Sequence, residues 1–154
     1  MQFIGIAGSI LVFVSLVLPW WTASVTGMGL SASLNMYVYN TNFVTRDVQL
    51  GVAWTWLVLV LVTVSGLLGI AGSTGEREIN EKLLISSGLL TLLSLLIFAA
   101  GVQFLVLGNL VMGAPFVLFS SSSYNDFSYL SYLSYGFWLA AGAAILLLYA
   151  STKA

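Results

Sequence analysis

The chain has 154 residues, 60% of them hydrophobic and 6% charged, with a formal net charge of −1. Soluble domains carry charge on roughly a quarter of their residues, so a mean hydropathy of +1.05 predicts an integral membrane protein. There is no basic footprint for nucleic acid, and the absence of Cys and His removes disulfides, thiolate clusters and the usual haem, copper or zinc ligand from this chain.

In chain order, the first apolar run covers 3–21 and closes on Pro19, Trp20 and Trp21. It has no basic residues ahead of it and no small-x-small cleavage pattern after it, so it reads as a retained helix rather than a signal peptide. The segment 22–50 is patterned differently. Leu30, Ala32, Leu34, Met36 and Val38 alternate with Ser31, Ser33, Asn35, Tyr37 and Tyr39, the period of a half-buried strand whose even-numbered face is covered. Ahead of it Ala23 and Val25 alternate with Ser24 and Thr26, and Gly27-Met28-Gly29 supplies a turn. A β-hairpin is expected there, with a short third strand through Phe43 and Val44. Open strand edges cannot sit in hydrocarbon, which puts this element outside the bilayer.

The second and third spans are predicted at 51–72 and 83–107, and the loop 73–82 between them holds five of the nine charged residues: Glu76, Arg77, Glu78, Glu81 and Lys82. The outer loop 108–131 contains an apolar decamer too short to cross, read as an interfacial or re-entrant segment, and a Ser- and Tyr-rich tract expected at headgroup level. The fourth span is placed at 132–149. The fold class this predicts is an all-α integral membrane protein: one domain of four transmembrane helices, with a small β-hairpin in the first outer loop.

Charge and tryptophan orient the bundle. Arg77, Lys82 and Lys153 lie on the side of the N-terminus and Arg46 lies opposite, which predicts a multi-pass cell-membrane protein with both termini cytoplasmic. Trp20, Trp21, Trp54, Trp56 and Trp138 then all fall at the outer interface, where indole rings are favoured. Four spans, cytoplasmic termini and a strand-rich first outer loop resemble the claudin-like tetraspan layout. That family's loop carries a Trp, then Gly-Leu-Trp and two Cys; this loop has Trp21 but no Gly-Leu-Trp and no Cys. The resemblance therefore implies architecture, and it does not carry over sealing or pore formation.

Chemistry-bearing groups are sparse. No Asp, Glu, Lys or Arg falls inside a predicted span, which weighs against an ion or proton pump. Only Lys82 and Lys153 could activate a serine nucleophile, and both sit among solvated charges at the cytoplasmic edge. Within the spans, Ser and Thr are expected to bond the preceding helical turn, and Gln103 to clasp a neighbouring helix or meet the interface. Small residues recur at Gly66, Gly69 and Gly72, and at Gly136, Ala140 and Ala144, spacings that let helix backbones approach closely. Aromatic residues crowd the outer side. The candidate contact surface is Trp20, Trp21, Phe116, Phe119, Tyr132, Tyr135, Gly136, Trp138, Ala140 and Ala144, because Tyr and Trp anchor interfaces. The expectation is a non-enzymatic, cofactor-free structural or accessory subunit of a larger membrane assembly, energy-converting or envelope-forming. Its partners would be lipid and other membrane subunits or copies of itself. A small transporter or channel, or a lipid- or quinone-binding protein, is the alternative.

Overall fold

The computed structural model describes residues 3–38, 52–75, 77–107 and 119–154. Among them are four helices: α1 (Phe3–Leu16), α2 (Val52–Thr74), α3 (Arg77–Gly101, prolonged by a π-helical turn Val102–Leu107) and α4 (Tyr135–Ser151). Four strands accompany them: β1 (Trp21–Gly27), β2 (Leu30–Met36), β3 (Phe119–Tyr124) and β4 (Phe127–Leu133). The strands form one antiparallel sheet in the order β2-β1-β4-β3.

This overturns the all-α, four-span expectation. The fold is mixed, and the sheet is a layer of its own rather than an ornament of one loop. Two helical stretches are long and apolar enough to cross a membrane, Trp54–Thr74 and Ile79–Phe104. At about 1.5 Å per residue, α1 with 14 residues and α4 with 17 fall short of the roughly 20 residues a span needs. The first apolar run is cut early because Pro19 disfavours helical geometry in the residue before it, and Trp21 already belongs to β1. The fourth run is shortened from its start, since Tyr132 and Leu133 are strand. The stretch 73–82, read as a loop, is helical on both sides of Gly75. There the Gly75 N–H donates to Ala71 O (2.9 Å), and Asn80 Nδ2 donates to Gly75 O (3.0 Å), closing the end of α2 against the start of α3.

The helices form a ring in which each packs on the next, α1 on α2, α2 on α3, α3 on α4 and α4 back on α1. Its interior mixes apolar side chains, such as Val12, Val58, Val62, Leu84 and Leu147, with hydroxyls. Ser9, Ser15, Ser65, Ser87, Thr91 and Ser94 are fully buried. Most bond to their own helix as expected, such as Ser9 Oγ to Gly5 O (2.8 Å) and Ser94 Oγ to Thr91 O (2.6 Å). One group crosses between helices. Ser65 Oγ donates to Ser87 O and Ser87 Oγ donates to Ser65 O, both at 2.7 Å, and Thr91 Oγ1 lies 2.5 Å from Ser65 Oγ. The reciprocal pair locks α2 to α3 in one register. Ser65→Ala is expected to cost about 1 kcal/mol, the scale of interhelical bonds in lipid. Ser86→Ala, at an exposed position on α3, should leave the unfolding midpoint in micelles unchanged.

The outside of the ring is apolar on every side. Ile10 and Val14 on α1, Leu57, Val60, Val64 and Leu67 on α2, Leu89, Leu93 and Leu96 on α3, and Ile145 on α4 are all exposed. Water-soluble bundles keep such residues inside; here they cover the outside as well, around an interior in which the buried hydroxyls sit among Val12, Val58, Val62, Leu84, Phe98 and Leu147.

The hairpin expected between Ala23 and Val38 forms as β1 and β2, with Trp21 opposite Met36 and Gly27 opposite Leu30. Met28 and Gly29 make the two-residue turn, both with positive φ (51° and 77°), the geometry that suits the right-handed twist of a hairpin. On the even-numbered face of β2, Met36 is buried, as is Val38 just beyond the strand, while Ala32 and Leu30 are exposed. The proposed strand at Phe43 and Val44 lies outside the described residues. Most of the Ser- and Tyr-rich tract is strand β4, which forms a second hairpin with β3 and pairs with β1 over Trp21–Leu133 to Gly27–Phe127.

Candidate interaction surface

Each pair of facing residues in an antiparallel sheet shares a side, so the registers assign every side chain to a face. One face carries Trp21, Ala23 and Val25 of β1, Met36, Ala32 and Leu30 of β2, and Leu133, Ser131, Tyr129 and Phe127 of β4. The other carries Thr22, Ser24, Thr26, Ser31, Ser33, Asn35, Ser128, Leu130 and Tyr132, joined by Thr22 Oγ1 donating to Asn35 Oδ1 (3.0 Å) and by a Thr26–Ser128 hydroxyl pair. The first face is apolar and the second mostly hydroxylated.

Where the sheet meets the helices, the apolar face is closed. Trp20 and Trp21, both placed on the candidate surface by the sequence, are buried. The Trp20 indole is held by Nε1 donating to Ser15 O (2.8 Å) and by edge-on contacts with Phe98 (5.1 Å) and Phe137 (6.0 Å). Its backbone N–H donates to Met36 O (2.8 Å) and its carbonyl accepts from Ser134 N (2.9 Å), so one residue ties α1, β2 and the start of α4. Trp54 extends this aromatic cluster from α2, 5.4 Å from Phe98.

The small stripe on α4 is internal as well. Ala140 and Ala144 are fully buried, and Gly136 packs on Trp20 and on the carbonyls of Leu18 and Pro19. Gly88 of α3 approaches the Ala144 carbonyl, which identifies the stripe as the seam between α4 and its neighbours in the ring. Of the remaining candidates, Phe119, Tyr135 and Trp138 are exposed, Tyr132 is half-buried, and Phe116 lies outside the described residues. Trp138 keeps its indole at the sheet end of α4 by donating Nε1 to Leu133 O (3.1 Å). Gln103 is half-buried in the π-helical turn after α3. Among the described residues, no three His, Cys, Asp or Glu side chains come together as a metal site.

The accessible apolar surface that sequence reading missed is the far half of the apolar sheet face, together with the turn beyond it. Its members are Val25, Met28, Leu30, Ala32 and Phe127. The alternation in β2 signalled part of it. The pairing of β1 with β4 brings Phe127 to Gly27 across a sequence separation no local pattern reports. No family model and no curated protein matches the chain.

Proposed function

We propose that the chain is a non-catalytic, multi-pass membrane protein, acting as a structural or accessory subunit of a larger membrane assembly. The observation that carries this reading is the apolar exterior, exposed on all four helices, around an interior whose helix seams include buried hydroxyls and small residues beside the apolar side chains. In lipid, helices associate through close backbone contact and interhelical hydrogen bonds rather than through hydrophobic burial, which is how α2, α3 and their neighbours are built. The interior hydroxyls bond mostly to backbone carbonyls, an arrangement suited to holding helices in register. The α2–α3 hairpin supplies the crossing, with α1 and α4 packed along it.

The two ends of the ring differ in kind. Phe3 and Ile4 of α1 lie beside Ala150 in the last turn of α4 and Lys153 after it, and the close approach of Gly5 to Ser73 brings the α2–α3 turn to the same end. The sheet stands at the other end, where its open edges require water. With Arg77, Lys82 and Lys153 at the first end, the positive-inside bias sets that end and both termini in the cytoplasm. Exposed Trp56 and Trp138 lie toward the sheet end, at the level that indole rings prefer.

Two measurements test this. Glu81→Cys, at the start of α3, and Ser121→Cys, in β3, are both exposed positions, and the native chain has no competing thiol. An impermeant maleimide added to intact cells should label Ser121→Cys and spare Glu81→Cys; labelling of both or neither would remove the topology. Solubilised in a mild detergent, the chain should migrate in a stoichiometric complex much larger than its 16.5 kDa. Purification as a lone monomer would defeat the subunit reading.

A further inference from the structure

We propose that the seam between α1 and α4 holds an anionic lipid at the cytoplasmic surface, with part of one acyl chain in a groove beside Phe3 and Ile4 and the phosphate on Lys153. The proposal rests on the membrane reading above and names the lipid that this side of the ring meets.

At their cytoplasmic ends α1 and α4 do not close completely on each other. Between them lies a groove of about 230 Å³ lined by Phe3, Ile4, Ala150 and Lys153. Sites that enclose a whole drug-sized ligand run to roughly 300–1,000 Å³, so this one seats a short length of a single chain. Its walls are hydrocarbon apart from the lysine. Phe3 is 79% exposed and Ile4 40%, which leaves the groove open on the outside of the ring. In a bilayer acyl chains surround that outside, and an unfilled recess would forfeit the dispersion contacts of its walls. An extended peptide fits poorly there, because apolar walls give its backbone no hydrogen-bond partners.

The lysine selects among lipids. Tyr135, Trp138, Gly142, Ile145 and Tyr149 are all exposed, and their spacing of three and four residues makes one outward stripe along α4. Lys153 follows four residues past Tyr149, and its ammonium stands 5.7 Å from the centre of that ring. Among the described residues no carboxylate pairs with it. A cation that ends a lipid-facing stripe beside an apolar recess, with no anion of its own, matches the two halves of an anionic lipid. Phosphate supplies the complementary charge, and the cytoplasmic leaflet is where anionic lipids gather. A zwitterionic lipid would bring a second cation to the same place.

The test reconstitutes the full chain, with whatever subunits stay bound to it, in phosphatidylcholine vesicles. A minor fraction of the lipid is phosphatidylglycerol with a photoreactive diazirine near the carboxyl end of one acyl chain. Irradiation and peptide mass spectrometry should place the adduct at Phe3, Ile4 or Ala150. The same diazirine carried on phosphatidylcholine should label these residues several-fold less. Lys153→Gln should lower labelling by phosphatidylglycerol about fivefold, the factor that one lysine contributes near an anionic surface. Ile4→Trp, which fills the groove and keeps the lysine, should lower it at least as much. Lys82→Gln is the control, an exposed lysine of the same end that does not line the groove, and should leave labelling unchanged. The proposal is overturned by adducts spread evenly over the four helices, by equal labelling from the two lipids, or by a Lys82→Gln effect as large as that of Lys153→Gln. A groove that takes no adduct in a complex retaining its subunits would also overturn it, while leaving the subunit reading standing. Release of the wild-type chain from the vesicles by alkaline wash would defeat the membrane reading, and the lipid site with it.

Discussion

Gly136→Ala is expected to destabilise the protein by about 3 kcal/mol, the upper part of the range for overpacked sites. A Cβ at this position would lie 2.5 Å from Trp20 Cδ1, 2.7 Å from the Leu18 carbonyl oxygen and 2.9 Å from that of Pro19. Two of those three atoms are backbone, so no rotamer change relieves the collision. The Gly136 N–H also donates to Pro19 O (2.8 Å), and a shift large enough to admit a methyl group would break that bond. The entry of α4 and the exit of α1 are pinned together here, so the damage should spread to β1 as well. Gly142→Ala provides the control, on the same helix with open space around it. It should be neutral or stabilising by up to about 1 kcal/mol through helix propensity. Denaturant unfolding of both variants in mild micelles, followed by Trp fluorescence, measures the difference. Equal stability of the two would mean that α4 does not begin where this fold places it.

Trp20→Ala should cost about 3–5 kcal/mol, the usual range for deleting a large aromatic from a packed interior. The indole is wholly buried and meets Phe98 and Phe137 edge-on, so its removal leaves a cavity bounded by rings that cannot collapse without abandoning each other. Trp20→Phe separates the two roles of the side chain. It keeps an aromatic ring but loses the donor to Ser15 O, and should cost about 1–2 kcal/mol, since the Leu18 N–H still reaches that carbonyl. Trp138→Ala should cost less than either. The residue is 54% exposed, so its replacement should leave the unfolding midpoint close to that of the wild type. A Trp20→Ala variant that unfolded like wild type would show that the aromatic cluster does not hold the sheet on the helices.

These two sites also show why the candidate surface was only partly legible. From sequence, Trp20 and Trp21 share the features of an interfacial anchor: they end an apolar run and follow a proline. Nothing local distinguishes an indole facing headgroups from one enclosed by a sheet. The enclosure comes from β4 and α4, more than a hundred residues along the chain. Gly136, Ala140 and Ala144 were legible as a close-packing stripe, because small residues at four-residue spacing permit little else. Which neighbour they meet depends on the order of helices around the ring, and that is a tertiary fact.

By itself the sequence determined the apolar character of the chain, the existence of the two long helices, and the β1–β2 hairpin with its turn. All of these follow from composition, helical length and period-two alternation, properties of a chain and its immediate neighbours. It also determined the habit of the interior serines, because a hydroxyl in a helix reaches its own preceding turn. Tertiary structure decided the rest. Phe119–Tyr124 and Phe127–Leu133 are strands although Ser, Tyr and Leu in that order fit no clean period, since pairing with β1 supplies their hydrogen bonds. That pairing shortened the fourth apolar run, enclosed the two tryptophans and turned an all-helical expectation into a mixed fold. It also placed Phe127 beside Leu30 and Val25. A sheet face is defined by register between strands, and register between distant strands is fixed only when the whole chain has folded.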